Sequence, residues 1–151
     1  MLATMPDELE EQILVAWRGL LFAHAKVIRR LEADMLKQHD LSITWFDVLS
    51  RLNQSPDGRL RMHELEEVSV FTRSGITRLA DRLEAAGLVR RERSPEDRRG
   101  VYLAITDAGR AKIDEVWPDH VASIQRHFGQ YLDATDAESL QTAAGKILKD
   151  D

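Results

Sequence analysis

Apolar positions in the first part of the chain recur at alternating spacings of three and four: Leu14, Trp17, Leu21, His24, Ile28, Leu31 and Met35. That is the 3.5-residue seam of a packed helix pair, and it predicts one long helix from Pro6 to about Gln38. Leu20 and Val27 widen the seam, and His24 is its only polar member. A stripe this long needs partners from other helices, from a second chain, or from both. Trp45, Val48, Leu49 and Leu52 define a second helix that ends at the Ser-Pro-Asp-Gly turn of residues 55–58. A short helix over Met62–Glu67 and a break at Val68–Phe71 lead to the best-defined helix, Thr72 to Ala86. Thr72 is its expected N-cap and Gly87 its stop. The pattern then changes period. Leu88–Arg91 reads as a strand, Ser94–Asp97 as a turn, and Val101, Leu103 and Ile105 alternate in a returning strand. Thr106-Asp107 caps a helix over about 108–131, with Pro118 inside it, and a last helix spans about 136–149.

The order is mainly α with one small β-hairpin. Two helices joined by a short break, the second followed at once by a hairpin, make a winged helix-turn-helix. The expected organisation is a single domain over 1–151, with a winged helix-turn-helix at 41–107 flanked by dimerisation helices at 7–38 and 108–151.

The circumference of the helix after the break is sharply divided. Ile76, Leu79, Ala80 and Leu83 fall at i, i+3, i+4 and i+7 and face a core. Ser74, Thr77, Arg78 and Asp81 project from the other side, with Arg73 at the exposed first turn. Short hydroxyls let a helix approach a duplex closely, and arginine reaches guanine edges or phosphates. The helix N-terminus itself favours a phosphate. The hairpin loop carries Asp97-Arg98-Arg99. An arginine at a projecting tip suits the narrow minor groove, and an aspartate two residues earlier can hold it in one orientation. The plainer reading of the same triplet is an exposed turn ion pair of little energetic weight.

Charge sharpens this picture. The 151 residues carry a net charge of −5, so a global basic signature of nucleic-acid binding is missing. Between Thr72 and Arg99, however, eight arginines face five acids, a local excess of +3 on a body of −8. No lysine occurs between Lys37 and Lys112. The local all-arginine patch fits a small groove-reading surface, since arginine supplies a planar donor fork. The DNA-contact set expected from these arguments is Thr72, Arg73, Ser74, Thr77, Arg78, Arg82, Asp97, Arg98 and Arg99.

The ordered string from Leu41 to Gly109 resembles the MarR family of bacterial regulators. The residues that carry the resemblance are Leu41-Ser42, the run Ser74 to Glu84, Gly87-Leu88-Val89, and the run Asp97 to Gly109. No single piece is decisive, but the ordered string is specific. The resemblance implies a homodimer built from interleaved terminal helices, with Arg99 as the minor-groove arginine and Asp97 as its orienting partner. It also implies repression at pseudo-palindromic operators in double-stranded DNA, relieved by a small, often aromatic and anionic ligand. By that likeness Trp17, Asp47 and Arg73 are candidate ligand contacts. Against this, Trp17 lies on the packing seam, Asp47 is a favourable acid in a first helical turn, and Arg73 can serve DNA alone.

Other classes fit less well. With no cysteine there is no disulfide framework, thiolate metal site or thiol switch. His120 and His127 share a helical face and His24 and His39 are candidates to approach in a dimer, which leaves a metal-responsive regulator as an alternative. Yet no His-x-x-x-His pair exists. His24 reads better as an interface histidine. The chain holds no glycine-rich phosphate loop or nucleophile elbow, so no enzyme activity, cofactor or metal is expected. A winged helix used for protein docking remains the other alternative, but it gives no reason for arginines on both helix and wing. The apolar runs are too short to cross a bilayer, and a cytoplasmic location is expected.

Overall fold

Ser42 opens the helix-turn-helix part of the chain: its Oγ accepts the Trp45 N–H at 3.2 Å and caps the helix that follows. The computed structural model describes the backbone of residues 8–67, 73–94 and 100–149, with the side chains of 66, 67, 73 and 74 left aside. In chain order the elements are α1 (Glu8–His39), α2 (Ile43–Gln54), β1 (Arg59–Arg61), α3 (Met62–Glu67) and α4 (Arg73–Ala85). They continue as β2 (Val89–Arg93), β3 (Val101–Ile105), α5 (Asp107–His127), a 3-10 turn (Gly129–Tyr131) and α6 (Ala134–Leu148). The described chain forms two compact units, residues 34–120 and residues 1–33 with 121–151.

In the 34–120 unit, α2, α3, α4, the sheet and the first part of α5 enclose one core. Leu49, Leu52, Leu65, Ile76, Leu83, Val89, Leu103 and Val116 are its largest fully buried side chains. Burial of each such side chain contributes roughly 1.5–3 kcal/mol. The periodicity of α2 and α4 places these residues on single inward faces, as the sequence predicts. The sheet has three strands in the order β1-β3-β2, all antiparallel. Strand β1 is an addition to the expected two-stranded hairpin: Leu60 sits opposite Leu103, and flanking Arg59 and Arg61 sit opposite Ala104 and Tyr102. The Ile105 N–H donates to the Gly58 carbonyl at 2.9 Å and extends that pairing. Gly58 has φ +66 and lies so close to the Arg110 guanidinium that a Cβ there would collide with it.

The join between α4 and β2 is a Schellman turn. The Leu88 N–H reaches back to the Leu83 carbonyl at 3.0 Å and the Gly87 N–H to the Glu84 carbonyl at 2.9 Å. Gly87, at φ +74, takes the left-handed position that this turn requires. Gly87 is thus the helix stop that the sequence predicts. Arg110 Nη1 donates to Asn53 Oδ1 at 2.7 Å and ties α5 to α2.

In the other unit, α1 carries acids in its first turn (Glu8, Glu10, Glu11), which suit the positive end of the helix dipole. The large apolar side chains of its N-terminal half stand in solvent: Leu14, Trp17, Leu21 and Phe22 are 54%, 55%, 47% and 73% exposed, and Ile147 and Leu148 of α6 are 70% and 75% exposed. The region expected to form one helix through Tyr131 is divided. Helix α5 continues through Pro118 but stops at His127. The Tyr131 and Leu132 N–H groups then bond back three residues, to Phe128 and Gly129. Asp133 starts α6 with a reciprocal capping box to Asp136, so the last helix begins two residues before the expected 136.

Candidate nucleic-acid interface

Helix α4 presents the divided circumference that its sequence spells. Ile76, Leu79, Ala80 and Leu83 are 2%, 8%, 1% and 0% exposed. Thr77, Arg78, Asp81 and Arg82 lie on the solvent side. The buried stripe fixes which way the helix faces, and the hydroxyl and guanidinium at 77 and 78 point outward as a consequence. Arg82 also faces α2: its guanidinium lies 5.5 Å from the centre of the Trp45 ring, a cation–π distance. Backbone is described for Arg73 and Ser74 as the first turn of α4. Their side chains, and all of Thr72, Asp97, Arg98 and Arg99, lie outside the described residues.

The charges around α4 are not all available to a partner. Arg91 of β2 donates through Nη1 to Glu84 Oε2 and through Nη2 to Asp81 Oδ1, both at 2.6 Å. The Arg91 N–H also donates to Glu84 Oε1 at 2.9 Å. That backbone bond, then the side-chain bond, hold the Glu84 carboxyl below its ordinary pKa. Burial opposes the charge on Arg91, but the two carboxylates more than offset it and its pKa is raised. On the opposite face of the sheet Arg90 and Arg59 converge on Glu92, at 2.7 and 3.3 Å. The guanidinium groups of Arg59 and Arg61 lie 4.8 and 5.2 Å from the centre of the Tyr102 ring. Arg59, Arg61, Arg90 and Arg91, like Arg82, are therefore engaged within the protein.

The candidate ligand residues Trp17 and Asp47 belong to different units, and the side chain of Arg73 lies outside the described residues. Trp17 belongs to the 1–33/121–151 unit and is more than half exposed. Asp47, in the other unit, pairs with Arg51 one turn later at 2.9 Å. A cavity of about 360 Å³ does open between α2 and α5, lined by Ser50, Asn53, Gln54, Ile113, Asp114, Trp117 and Pro118. None of these residues was singled out by sequence pattern as a ligand contact, because the two helices that form the cavity are far apart in the chain.

The histidines have separate surroundings. His120 packs against Phe46, with ring centres 4.5 Å apart, and its Nδ1 is buried without a hydrogen-bond partner. Burial lowers its pKa. His39, named with His24 as a candidate for the metal-responsive alternative, lies between Asp119 at 3.0 Å and Glu115 at 3.3 Å on successive turns of α5. The carboxylates meet opposite ring nitrogens, so they do not converge on a common point. Among the described residues no three histidine or acidic side chains form a group that would hold a metal ion. His24 is exposed on α1, and His127 is half-buried near the end of α5. No helix among the described residues is long and apolar enough to cross a membrane.

An outward Thr77–Arg78 edge on a helix whose other face is buried, followed directly by an antiparallel sheet, defines the winged helix-turn-helix class of DNA-binding regulators. Residues 39–100 match the model of the MarR family. The chain is 30% identical over 113 residues to the transcriptional repressor YetL of Bacillus subtilis, across 75% of this chain and 68% of that protein. With another Bacillus subtilis regulator, 32% identical, the alignment spans only 58% of the relative's length. Similarity to solved structures extends over nearly the whole chain. AbsC, a MarR family transcriptional regulator from Streptomyces coelicolor, is 31% identical with a TM-score of 0.84, and 97% of each chain is covered. Sco3205 from the same organism, solved in complex with DNA, is 28% identical with a TM-score of 0.84, covering 99% of this chain and 92% of that one. The chain belongs to the MarR family of transcriptional regulators.

Proposed function

We propose that the protein is a homodimeric, sequence-specific repressor that binds a pseudo-palindromic operator in double-stranded DNA and acts by binding, not by catalysis. The observation that carries this reading is the outward placement of Thr77 and Arg78 on a helix held from behind by Ile76, Leu79, Ala80 and Leu83. In this reading α4 enters the major groove, with Arg73, Ser74, Thr77 and Arg78 over base edges and phosphates, and Thr72 and Arg82 at the flanks. The 95–99 segment reaches the adjacent minor groove, where Arg99, steadied by Asp97 and accompanied by Arg98, meets enhanced negative potential. The DNA complex of Sco3205 supports the assignment by likeness.

The winged part, 41–107, is carried by flanking helices at 7–38 and 108–151 that we assign to dimerisation. Their exposed Leu14, Trp17, Leu21, Phe22, Ile147 and Leu148 support a second copy as the cover, since large apolar side chains left in solvent in this number mark an association face. Two copies would set half-sites about 10 base pairs apart. Location in the cytoplasm follows from the same reading. Release by a small aromatic or anionic effector is part of the proposal, with Trp17, Asp47 and Arg73 as its contacts. Such a ligand has to favour the DNA-incompetent dimer over the competent one.

The test is selection from a random duplex pool followed by titration of the recovered sequence. Tight, salt-sensitive binding by a dimer, with scrambled duplex bound far more weakly, is the expected result. Failure to enrich any sequence would favour a protein-docking winged helix.

A further inference from the structure

We infer that Arg91 is a positioning residue for DNA recognition: it fixes the rotation of α4 about its own axis without touching DNA. The inference rests on the DNA-binding reading and adds a specificity determinant outside the contact set.

Strand alternation explains why Arg91 is available for this task. Val89 is buried against the core, so Arg91, two residues on, points to the same side of the sheet, while Arg90 and Glu92 point to the other. On that side lies α4. Thr77, Asp81 and Glu84 fall at i, i+4 and i+7 and form one stripe along the helix. Arg91 touches every member of it: Glu84 at 2.6 Å, Asp81 at 2.6 Å and the Thr77 carbonyl at 3.4 Å. Its own N–H closes a further bond to Glu84 at 2.9 Å. The guanidinium fork is planar and directional, so two carboxylates on successive turns can satisfy it in only one helix orientation.

The stripe it grips borders the edge that carries Arg78. A rotation of about 20° would sweep a side chain about 5–6 Å from the helix axis through about 2 Å, enough to misplace a bidentate base contact. The buried aliphatic face of α4 sets which way the helix faces, and a directional contact at its edge sharpens that setting. A fork held at three points along the helix is directional. The same contact places positive charge beside Asp81, whose side chain is 58% exposed on the DNA-side surface, and lessens its repulsion of phosphate. With its side chain 28% exposed and both arms committed to carboxylates, Arg91 is poorly placed to bind phosphate itself.

The test uses the duplex that the wild-type protein selects from a random pool, and a scrambled duplex of equal length, titrated over a range of salt. Arg91→Gln should weaken binding to the selected duplex by about tenfold or more and leave binding to the scrambled one within about twofold. The slope of log K against log salt should stay at the wild-type value, because no phosphate contact is lost. Arg91→Lys, which keeps the charge but not the fork, should show the same loss of discrimination, and it serves if the glutamine variant does not fold. A slope smaller by about one, with equal losses on both duplexes, would make Arg91 a phosphate contact and overturn the inference. Unchanged discrimination in either folded variant would overturn it too. Failure of the wild-type protein to select any duplex is a separate result, which removes the DNA-binding reading itself.

Discussion

The hydroxyl of Thr106 donates to the carbonyl of Gly87 at 2.7 Å and accepts the Gly109 N–H at 3.1 Å. One side chain therefore caps α5 and holds the turn that ends α4. It links the element proposed to read DNA to the start of a helix proposed to join the dimer. Replacing it with alanine removes both bonds, leaving the Gly109 N–H without its acceptor. Thr106→Ala should cost about 1–2 kcal/mol of stability, and Thr106→Ser should retain most of it. Urea denaturation of the two variants checks this; equal stability of alanine and threonine would refute it.

Gly87 offers a test of backbone geometry free of steric neighbours. Its φ is +74, and a Cβ added there meets nothing within 4 Å. Any cost of Gly87→Ala must then come from the left-handed conformation, about 1–2 kcal/mol, with Gly87→Asn less affected. A thermal melt in which alanine equals glycine would show that the turn relaxes to another form.

His120 gives a prediction in pH. Burial lowers its pKa below the ordinary value of 6.5, so as pH falls the unfolded chain takes up the proton first. The stability that neutral His120 contributes is complete above pH 6.5 and is lost as pH falls through the lower folded value. His120→Phe keeps the packing on Phe46 and removes the buried, unpartnered Nδ1. The variant should be at least as stable as the parent at neutral pH. Its stability should fall less on acidification just below pH 6.5. Identical pH profiles for the two proteins would show that this histidine does not titrate with folding.

Much of the fold was written in local pattern. The buried face of α4 follows from the spacing of Ile76, Leu79, Ala80 and Leu83, and its end follows from Gly87. The cap at Thr106 was legible for the same reason: it acts on a backbone group three residues away. Strand β1 was not legible. Arg-Leu-Arg has one apolar residue, and it becomes a strand only because β3 offers it a partner. The division at Gly129–Tyr131 was missed because helical periodicity continues across it, while the Asp133–Asp136 capping box that starts the next helix carries the decisive local signal.

The candidate site divides in the same way. Exposure of Thr77 and Arg78 could be read from the helix period alone. The clamp from Arg91 to Asp81 and Glu84 spans two elements, and charge counting placed all three in one undivided patch. Strand alternation from Val89 was the available signal, since it puts Arg91 and not Arg90 on the side of α4. The cavity between α2 and α5 and the seat of His39 between Glu115 and Asp119 depend on long-range packing, which residue spacing does not encode.

If the outward edge of α4 reads base identity, titration of Arg78→Ala against the selected duplex and its single-base variants will reveal it. Discrimination should relax by about 1–3 kcal/mol at one or two adjacent base pairs and stay at the parent value elsewhere. A folded, dimeric Arg78→Ala protein with the parent's affinity for every duplex would show that α4 does not read bases through this edge.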